Sequence, residues 1–207
     1  RCVKYCAEKM NRINIVLPKG AGKILYIVAG CNGSGKTTAF RNRLSADFEI
    51  PVFINADEIA RALCPGNVDS VALVSGREML LQIDKQLEMD VSFCIETTLS
   101  GLHYRGLIEK AHDKGFKVAL FFFWLDSPEL AVLRVAKRVE SGGHNIPVDV
   151  IHRRYHRGLC NLFSIYIPLV DYWRIENNSG FTPDKIAVGG KDIYDSVIYS
   201  KLVNYGK

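Results

Sequence analysis

Gly30-Cys31-Asn32-Gly33-Ser34-Gly35-Lys36-Thr37 matches G-x-x-x-x-G-K-T, the pattern of a phosphate-binding P-loop. An apolar run of strand length precedes it at 24–29, and a helix-forming stretch follows at 38–44. In this order of strand, glycine-rich loop and helix, backbone N–H groups and the helix N-terminus hold phosphate oxygens. The lysine reaches the β- and γ-phosphates, and the hydroxyl beside it binds Mg²⁺. We therefore expect a nucleoside triphosphate to bind at Gly30, Asn32, Gly33, Ser34, Gly35, Lys36, Thr37 and Thr38.

The composition indicates a single globular domain. The chain has 207 residues, a formal net charge of +5, and six cysteines without a C-x-x-C pair, so reduced thiols are expected. The modest positive charge suits an anionic nucleotide and substrate. Neither a membrane-spanning apolar stretch nor a secretory signal is evident. We expect a cytoplasmic protein with no membrane partner. Residues 24–207 should form one domain after an N-terminal segment at 1–23, of which 1–9 are interpreted as an upstream or artificial extension.

Strand-like and helix-like stretches alternate along the chain, which predicts an α/β fold. Together with the glycine-rich loop, the pattern predicts a P-loop NTPase/kinase fold: a doubly wound, mostly parallel sheet of five to six strands with flanking helices, a short lid and a site at the strands' carboxyl ends. Ser127 and Pro128 predict a helix start, with the serine as its cap. The strands are expected near 24–29, 51–55, 91–95, 116–125, 172–176 and 185–188.

Two acidic residues follow predicted strands and are candidates for catalysis. Asp57 ends a strand that we expect beside the first one, so its carboxylate should face the γ-phosphate as general base. Its alternative roles are helix capping or Mg²⁺ binding through water. Glu96 ends the third strand at the same edge and is expected to bind Mg²⁺ or to orient the acceptor. The alternative for Glu96 is an exposed acid with no ligand.

Arginines that flank buried helical stripes are candidates for neutralising the transferred phosphoryl group. In the helix predicted at 147–170, Arg153 and Arg157 point away from the buried stripe, whereas Arg154 lies on its flank. Arg138 has a similar flanking position one helix earlier. We therefore favour Arg138 and Arg154, with solvated surface charges as the alternative.

A glycine-rich segment at 141–147 separates these two helices. Because it is flexible at one end and fixed by a proline at the other, it is expected to act as a short lid that excludes water. His144 in this segment could contact phosphate, and an ordinary turn histidine is the alternative. The loop at 177–180 could border the adenine, although no other role is assigned to residues 177–207.

The chain resembles the zeta toxin family of P-loop kinases. The resemblance extends over about 24–170 and depends on the joint order of several motifs. They are the glycine-rich loop, Asn55-Ala56-Asp57-Glu58-Ile59-Ala60, Phe93-Cys94-Ile95-Glu96-Thr97-Thr98-Leu99-Ser100, Arg138-Val139-Glu140-Ser141-Gly142-Gly143-His144-Asn145-Ile146-Pro147 and Ile151-His152-Arg153-Arg154-Tyr155.

This resemblance implies phosphorylation of a small-molecule hydroxyl with ATP and Mg²⁺; in characterised zeta toxins the acceptor is the 3′-hydroxyl of UDP-N-acetylglucosamine. It also implies an epsilon-type antitoxin as a partner. By motif position, Lys36 matches the phosphate lysine, Thr37 the magnesium residue and Asp57 the catalytic acid. Glu96 matches the strand-end glutamate, with Thr98 beside it on the acceptor side, and Arg138 the first catalytic arginine. The second arginine, Arg153 or Arg154, stays open, because the family's pair lies closer in sequence.

Other P-loop proteins fit less well. A GTPase needs a guanine-reading N-K-x-D, which is absent, and an ABC-type ATPase needs its own signature and an Asp-Glu strand end. A kinase acting on nucleic-acid or nucleoside hydroxyls remains an alternative, disfavoured because no aromatic and basic strand platform is evident. A regulatory protein that only binds ATP is a third interpretation.

Overall fold

The computed structural model describes residues 22–45, 48–189 and 192–206. Strands and helices alternate through most of this part of the chain, as the sequence predicts. The strands are β1 (Ile24–Ala29), β2 (Phe53–Ile54), β3 (Phe93–Thr97), β4 (Lys117–Trp124), β5 (Tyr172–Asn177), β6 (Asp184–Val188) and β7 (Asp192–Ile193). The helices are α1 (Lys36–Ala39), α2 (Ala56–Leu63), α3 (Ala72–Met89), α4 (Tyr104–Asp113), α5 (Pro128–Glu140), α6 (Val148–Asn161), α7 (Ile167–Leu169) and α8 (Ser196–Val203).

Seven strands in the described residues form one sheet in the order β2-β3-β1-β4-β5-β6-β7. The first five are parallel, and β6 and β7 add in antiparallel orientation. The predicted mostly parallel α/β fold is therefore confirmed, with one strand more than the five to six expected. The extra strand, β7, has two residues and lies in a tail where the sequence shows no clear pattern.

The neighbour expected for β2 is wrong. β2 pairs with β3 and not with β1, because β3 lies between them. The strand adjacent to the P-loop strand is therefore the one that carries Glu96, whereas Asp57 follows a strand one position further out. Local sequence does not specify which parallel strands pair, since the partners are joined by long crossover connections.

The sheet has a buried core on both faces. On β1, Leu25, Ile27 and Ala29 pack on one face, and Ile24, Tyr26 and Val28 on the other. Such alternation of two apolar sets is typical of a central parallel strand covered on both sides. The first face packs against α3, α4, α5 and α6, and the second against α1 and the turn after it. All five parallel strands therefore end at one edge, where the P-loop begins.

Helix ends follow the chemistry of their caps. Ser127 caps α5 by accepting a hydrogen bond from Leu130 N at 3.2 Å, with Pro128 in the first turn, as predicted. Asn55 caps α2 by accepting from Asp57 N at 2.8 Å. The long helix expected at 147–170 is interrupted, because a π-helical turn at Leu162–Tyr166 separates α6 from α7.

In the described part of the chain, no helix is both long and apolar enough to cross a membrane. The N-terminal segment predicted at 1–23 lies outside the described residues apart from its last two positions. The division into that segment and one domain at 24–207 stays a prediction.

Candidate functional site

The P-loop forms a cradle that only glycines can line. Gly30, Gly33 and Gly35 have φ values of +141°, +78° and +81°, a region that other residues rarely adopt. A Cβ on Gly30 would lie 2.3 Å from Phe123 O, and one on Gly33 would lie 2.8 Å from Ala131 O. The loop is therefore held against β4 and α5, with backbone N–H groups available for an anion at the start of α1. Thr38 is exposed in the first turn of that helix.

Lys36 is 7% exposed and folds back over the loop that carries it. Its Nζ donates a hydrogen bond to Cys31 O at 2.9 Å and lies 3.8 Å from Glu96 Oε1. A buried ammonium needs such acceptors, since the transfer of an unpaired charge from water is costly. The ammonium thus lies between the phosphate loop and the acidic end of β3.

Glu96 is the centre of a small polar cluster. Its Oε2 accepts from Thr37 Oγ1 at 2.6 Å and from Asn55 Nδ2 at 3.0 Å. The hydroxyl and the carboxylate are hard oxygen ligands of the kind that Mg²⁺ prefers together with phosphate oxygens. The contact between Thr37 and Glu96 brings the two residues predicted to bind magnesium together, so the residues present fit this ion.

Asp57 and Arg154 line the same cavity. Asp57 lies in the first turn of α2 and is exposed to the cavity, and Arg154 projects from α6. Arg154 Nη1 donates to Asn32 Oδ1 of the P-loop at 3.1 Å. Burial lowers the pKa of the Arg154 guanidinium, and the nearby Asp57 carboxylate opposes this shift. The Asp57 carboxylate and the Arg154 guanidinium are therefore close enough to interact electrostatically.

These groups line one cavity of about 380 Å³. The part beside the P-loop is lined by Asn32, Lys36, Glu96, Arg154 and the start of α2 with Asn55, Ala56 and Asp57. The rest of the lining combines apolar, hydroxyl and aromatic residues with two further arginines. These residues are Met79, Thr97, Thr98, Ser100, Gly101, His103, Tyr104, Arg153 and Arg157.

The loop after β3 is held in a strained but heavily supported conformation. Leu99 is fully buried with φ +55°, an unfavourable value for a residue with a side chain. Its N–H donates to Thr97 Oγ1 at 3.0 Å, and its carbonyl accepts from Asn161 Nδ2 at 2.8 Å. Thr98, predicted on the acceptor side, lines the cavity from this loop, and its hydroxyl pairs with that of Ser100 at 2.9 Å.

Arg153 and Arg157 also line the cavity, although sequence reasoning gave them low priority. Both are exposed, as helical geometry indicates. Exposure did not exclude them from the site, because a cavity that opens to solvent can be lined by arginines that are not beside the buried stripe. Three arginines of α6 therefore line this site.

Arg138 and His144 do not line the cavity. Arg138 is exposed in the last turn of α5, where its Nη2 donates to His144 O at 3.0 Å. His144 Nε2 lies 3.2 Å from Asp69 Oδ1 in the turn before α3. The segment at 141–147 therefore connects the α5–α6 side of the molecule to the α2–α3 side, and the direct phosphate contacts predicted for these two residues stay predictions.

The other end of the P-loop is fixed by residues that sequence reasoning did not single out. Asn178 Nδ2 donates to Ser34 O at 2.6 Å, and the backbone carbonyl of Asn178 accepts from Arg134 Nη1 at 2.8 Å. The second guanidinium nitrogen of Arg134 donates to Ser179 O at 2.8 Å. The only sequence signal was the placement of the turn at 177–180 near the nucleotide.

Two aromatic rings lie at the entrance to α4. The rings of His103 and Tyr104 are 4.0 Å apart between centroids, and both residues line the cavity. Partial burial lowers the pKa of His103, and burial raises that of Tyr104. Both changes favour the neutral form, so these rings contribute polar and apolar contact without charge.

Comparison with known proteins places this geometry in a family. The model of the family described as zeta toxin matches residues 7–166. An uncharacterised protein of Haemophilus influenzae is 31% identical over 126 residues, which are 61% of this chain and 88% of that protein.

Solved structures agree on the fold. A chain of the AvrRxo1-ORF1:AvrRxo1-ORF2 complex with sulphate superposes with a TM-score of 0.70 and 17% identity. The match covers 89% of this chain and 65% of the other, so this chain spans about two thirds of the length of that relative. The same complex with ATP gives the same TM-score. A chain from the PezAT toxin–antitoxin system of Streptococcus pneumoniae has a TM-score of 0.63 at 16% identity, covering 90% of this chain and 85% of that one.

The matched family model covers most of the chain and includes the P-loop, Asp57, Glu96 and the arginines of α6. It confirms the resemblance and supports a kinase-like, nucleotide-binding function. The chain belongs to the zeta toxin family.

Proposed function

We propose that this protein is a kinase that transfers the γ-phosphoryl group of ATP to a hydroxyl of a small molecule. The observation that carries the proposal is the meeting of Lys36, Asp57, Glu96 and Arg154 in one cavity beside the P-loop. Phosphoryl transfer needs little more from a protein than such positioning and charge neutralisation.

Asp57 is the general base in this proposal. It lies in the cavity between the P-loop and the acceptor side, where its carboxylate can accept the proton of an acceptor hydroxyl. Lys36 and Arg154 approach from the phosphate side and stabilise negative charge on the transferred group. Arg154 is already aligned by its bond to Asn32.

Thr37 and Glu96 would hold Mg²⁺ in this site. The ion, when bound with the nucleotide, supplies positive charge to the β- and γ-phosphates. Thr37 Oγ1 and Glu96 Oε2 are 2.6 Å apart, so both oxygens are close enough to contact one ion. Arg138 is proposed to act through the 141–147 segment, where it supports the backbone at His144.

The acceptor side favours an anionic molecule. Arg153 and Arg157 add two positive charges to the cavity, beyond those that serve the phosphate side. A nucleotide sugar such as UDP-N-acetylglucosamine has phosphates for the arginines, a base for the His103 and Tyr104 rings, and hydroxyls for Asp57. We propose it as the first acceptor to test, with Thr98 and Ser100 beside the sugar.

The test is direct. The purified protein is incubated with ATP, Mg²⁺ and a panel of UDP-sugars, nucleosides and oligonucleotides, and the products are identified by mass spectrometry. We expect a gain of one phosphate on a nucleotide sugar, lost in Asp57→Ala and in Asp57→Asn while ATP binding persists. Phosphate gain on oligonucleotides alone would favour the nucleic-acid kinase, and tight ATP binding with no transfer to any acceptor would favour the regulatory alternative.

An antitoxin is a proposed partner. PezAT is a toxin–antitoxin system, and AvrRxo1-ORF1 was crystallised with AvrRxo1-ORF2, so two related structures come from two-component complexes. Co-expression with the product of a neighbouring small gene, followed by co-purification and an activity assay, tests this proposal. An inhibitory complex supports it.

A further inference from the structure

Asn55 uses both ends of its side-chain amide inside the site. It is 5% exposed and lies between the end of β2 and the start of α2. Its Oδ1 accepts from Asp57 N at 2.8 Å, and its Nδ2 donates to Glu96 Oε2 at 3.0 Å. The reverse amide orientation would face a donor with a donor and an acceptor with an acceptor, so the network fixes the assignment.

The sheet brings Asn55 to this point. Ile54 of β2 pairs with Ile95 of β3, so Asn55, the first residue after β2, lies beside Glu96, which is still within β3. Glu96 in turn accepts from Thr37 Oγ1. A single amide thus connects the helix turn that carries Asp57 with the carboxylate that meets the P-loop threonine.

We propose that Asn55 is a positioning residue that holds Asp57 in register with the Glu96–Thr37 pair. The inference rests on the proposed kinase function and adds to it. Asn55 acts through its two neighbours: it sets the start of α2 and orients the Glu96 carboxylate. Partners that orient a ligating group typically affect metal affinity or activity by ~10–100-fold when they are removed.

Asparagine has a property here that other good caps lack. Asp and Ser cap helices about as well as Asn, because each offers an oxygen to the N-terminal N–H groups. Neither places an amide N–H₂ toward Glu96. An aspartate would instead bring a second carboxylate to Glu96 at the 3.0 Å where Nδ2 now donates. Substitutions at this position can therefore separate the capping role from the orienting role.

The experiment compares Asn55→Asp, Asn55→Ser and Asn55→Ala with Asn67→Asp as a matched control. Asn67 also caps a helical turn, accepting from Ser70 N at 3.3 Å, and does not line the cavity. Thermal unfolding should show little change for Asn55→Ser and Asn67→Asp, and a lower Tm for Asn55→Ala. Turnover with saturating ATP and acceptor should fall ~10–100-fold in all three Asn55 variants and stay unchanged in Asn67→Asp.

A second readout does not need the acceptor. Binding of a fluorescent ATP analogue to the protein is measured in the presence of Mg²⁺ and again in the presence of EDTA. The dissociation constant in EDTA divided by that in Mg²⁺ gives the factor by which Mg²⁺ strengthens binding, which is the Mg²⁺ benefit. Asn55→Asp and Asn55→Ser should lower this ratio ~10-fold or more, while affinity in EDTA stays within a factor of three of wild type.

The outcomes separate this inference from the proposed function. Full turnover and a full Mg²⁺ benefit in Asn55→Ser would overturn the positioning role, because the cap alone would then suffice. If the wild-type protein transfers phosphate to no acceptor, the kinase proposal ends. If the Mg²⁺ benefit is nevertheless lost in Asn55→Ser, the link between Asn55 and Glu96 is still supported. Equal losses in Asn67→Asp would also overturn the inference, since they would indicate general destabilisation.

Discussion

Gly158 lies where α6 approaches the loop after β3, and its replacement by alanine tests how the arginines are placed. A Cβ at this position would lie 2.6 Å from Thr98 O, whereas ordinary contact begins at 3.4 Å. The helix or the loop must therefore separate by about 0.8 Å. Arg154 and Arg157 come from the helix, and Thr98 lines the acceptor side, so the separation acts within the cavity itself.

Two opposing terms set the stability of Gly158→Ala. Alanine is favoured over glycine inside a helix by about 1 kcal/mol. Overpacking of a close contact costs typically 1–3 kcal/mol. We expect a net loss of unfolding free energy of about 0–2 kcal/mol, which leaves the protein folded. Activity is more sensitive, because a misplacement of about 1 Å can reduce turnover ~10²-fold.

Urea unfolding and phosphoryl-transfer rates measure the two effects. Gly106→Ala in α4 is the control, because nothing lies within 4 Å of its added Cβ. It should gain about 0.5–1 kcal/mol of stability with unchanged turnover. If Gly158→Ala instead gains stability like the control and retains full turnover, the contact with Thr98 does not position the arginines and the reasoning is refuted.

Three further predictions concern single groups. Arg154→Ala should reduce turnover ~10³-fold or more, and Arg138→Ala should reduce it much less because Arg138 supports the 141–147 backbone; equal losses would contradict this ranking. Burial raises the pKa of the Cys31 thiol to about 11, so iodoacetamide at pH 8 should label exposed Cys160 before Cys31 in peptide mapping, and rapid labelling of Cys31 would count against it. Burial would raise the pKa of Asp171, but hydrogen bonds from Lys117, Val118 N and His112 outweigh it and hold the pKa below its usual value. Its stabilising contribution is therefore complete above the unfolded-state pKa and lost as the pH falls through the folded-state value, so Asp171→Asn should flatten the acid side of the stability profile.

Local sequence was sufficient for the P-loop and for the approximate positions of the parallel strands. The glycines, Lys36 and Thr37 are read from a contiguous motif. The strand that carries Glu96 has a clear apolar pattern, although it continues to Thr97, two residues beyond its predicted end. The start of α5 was predicted because Ser127 and Pro128 form a cap with a known mechanism. Each of these features is encoded within a few residues of the position that it determines.

Features that depend on tertiary pairing were not predictable in this way. β3 lies between β1 and β2, and no short pattern in β2 encodes this position, because parallel partners are joined by long crossover connections. Arg153 and Arg157 were given low priority because helical periodicity reports burial and contains no information on where an open cavity lies. Asn55 appeared only as a neighbour of Asp57, since its bond to Glu96 crosses 41 residues of sequence.

The bond between Asn178 and the P-loop limits how far this protein can be shortened. The match to the family model ends at residue 166, so a shortened protein that keeps only the matched motifs could be designed. Such a deletion would remove β5, the parallel neighbour of β4, and with it the amide that contacts Ser34 across 144 residues. We expect a fragment that ends near residue 170 to retain every motif residue and still lose nucleotide affinity. The region matched by the family model is then shorter than the region that the nucleotide site needs.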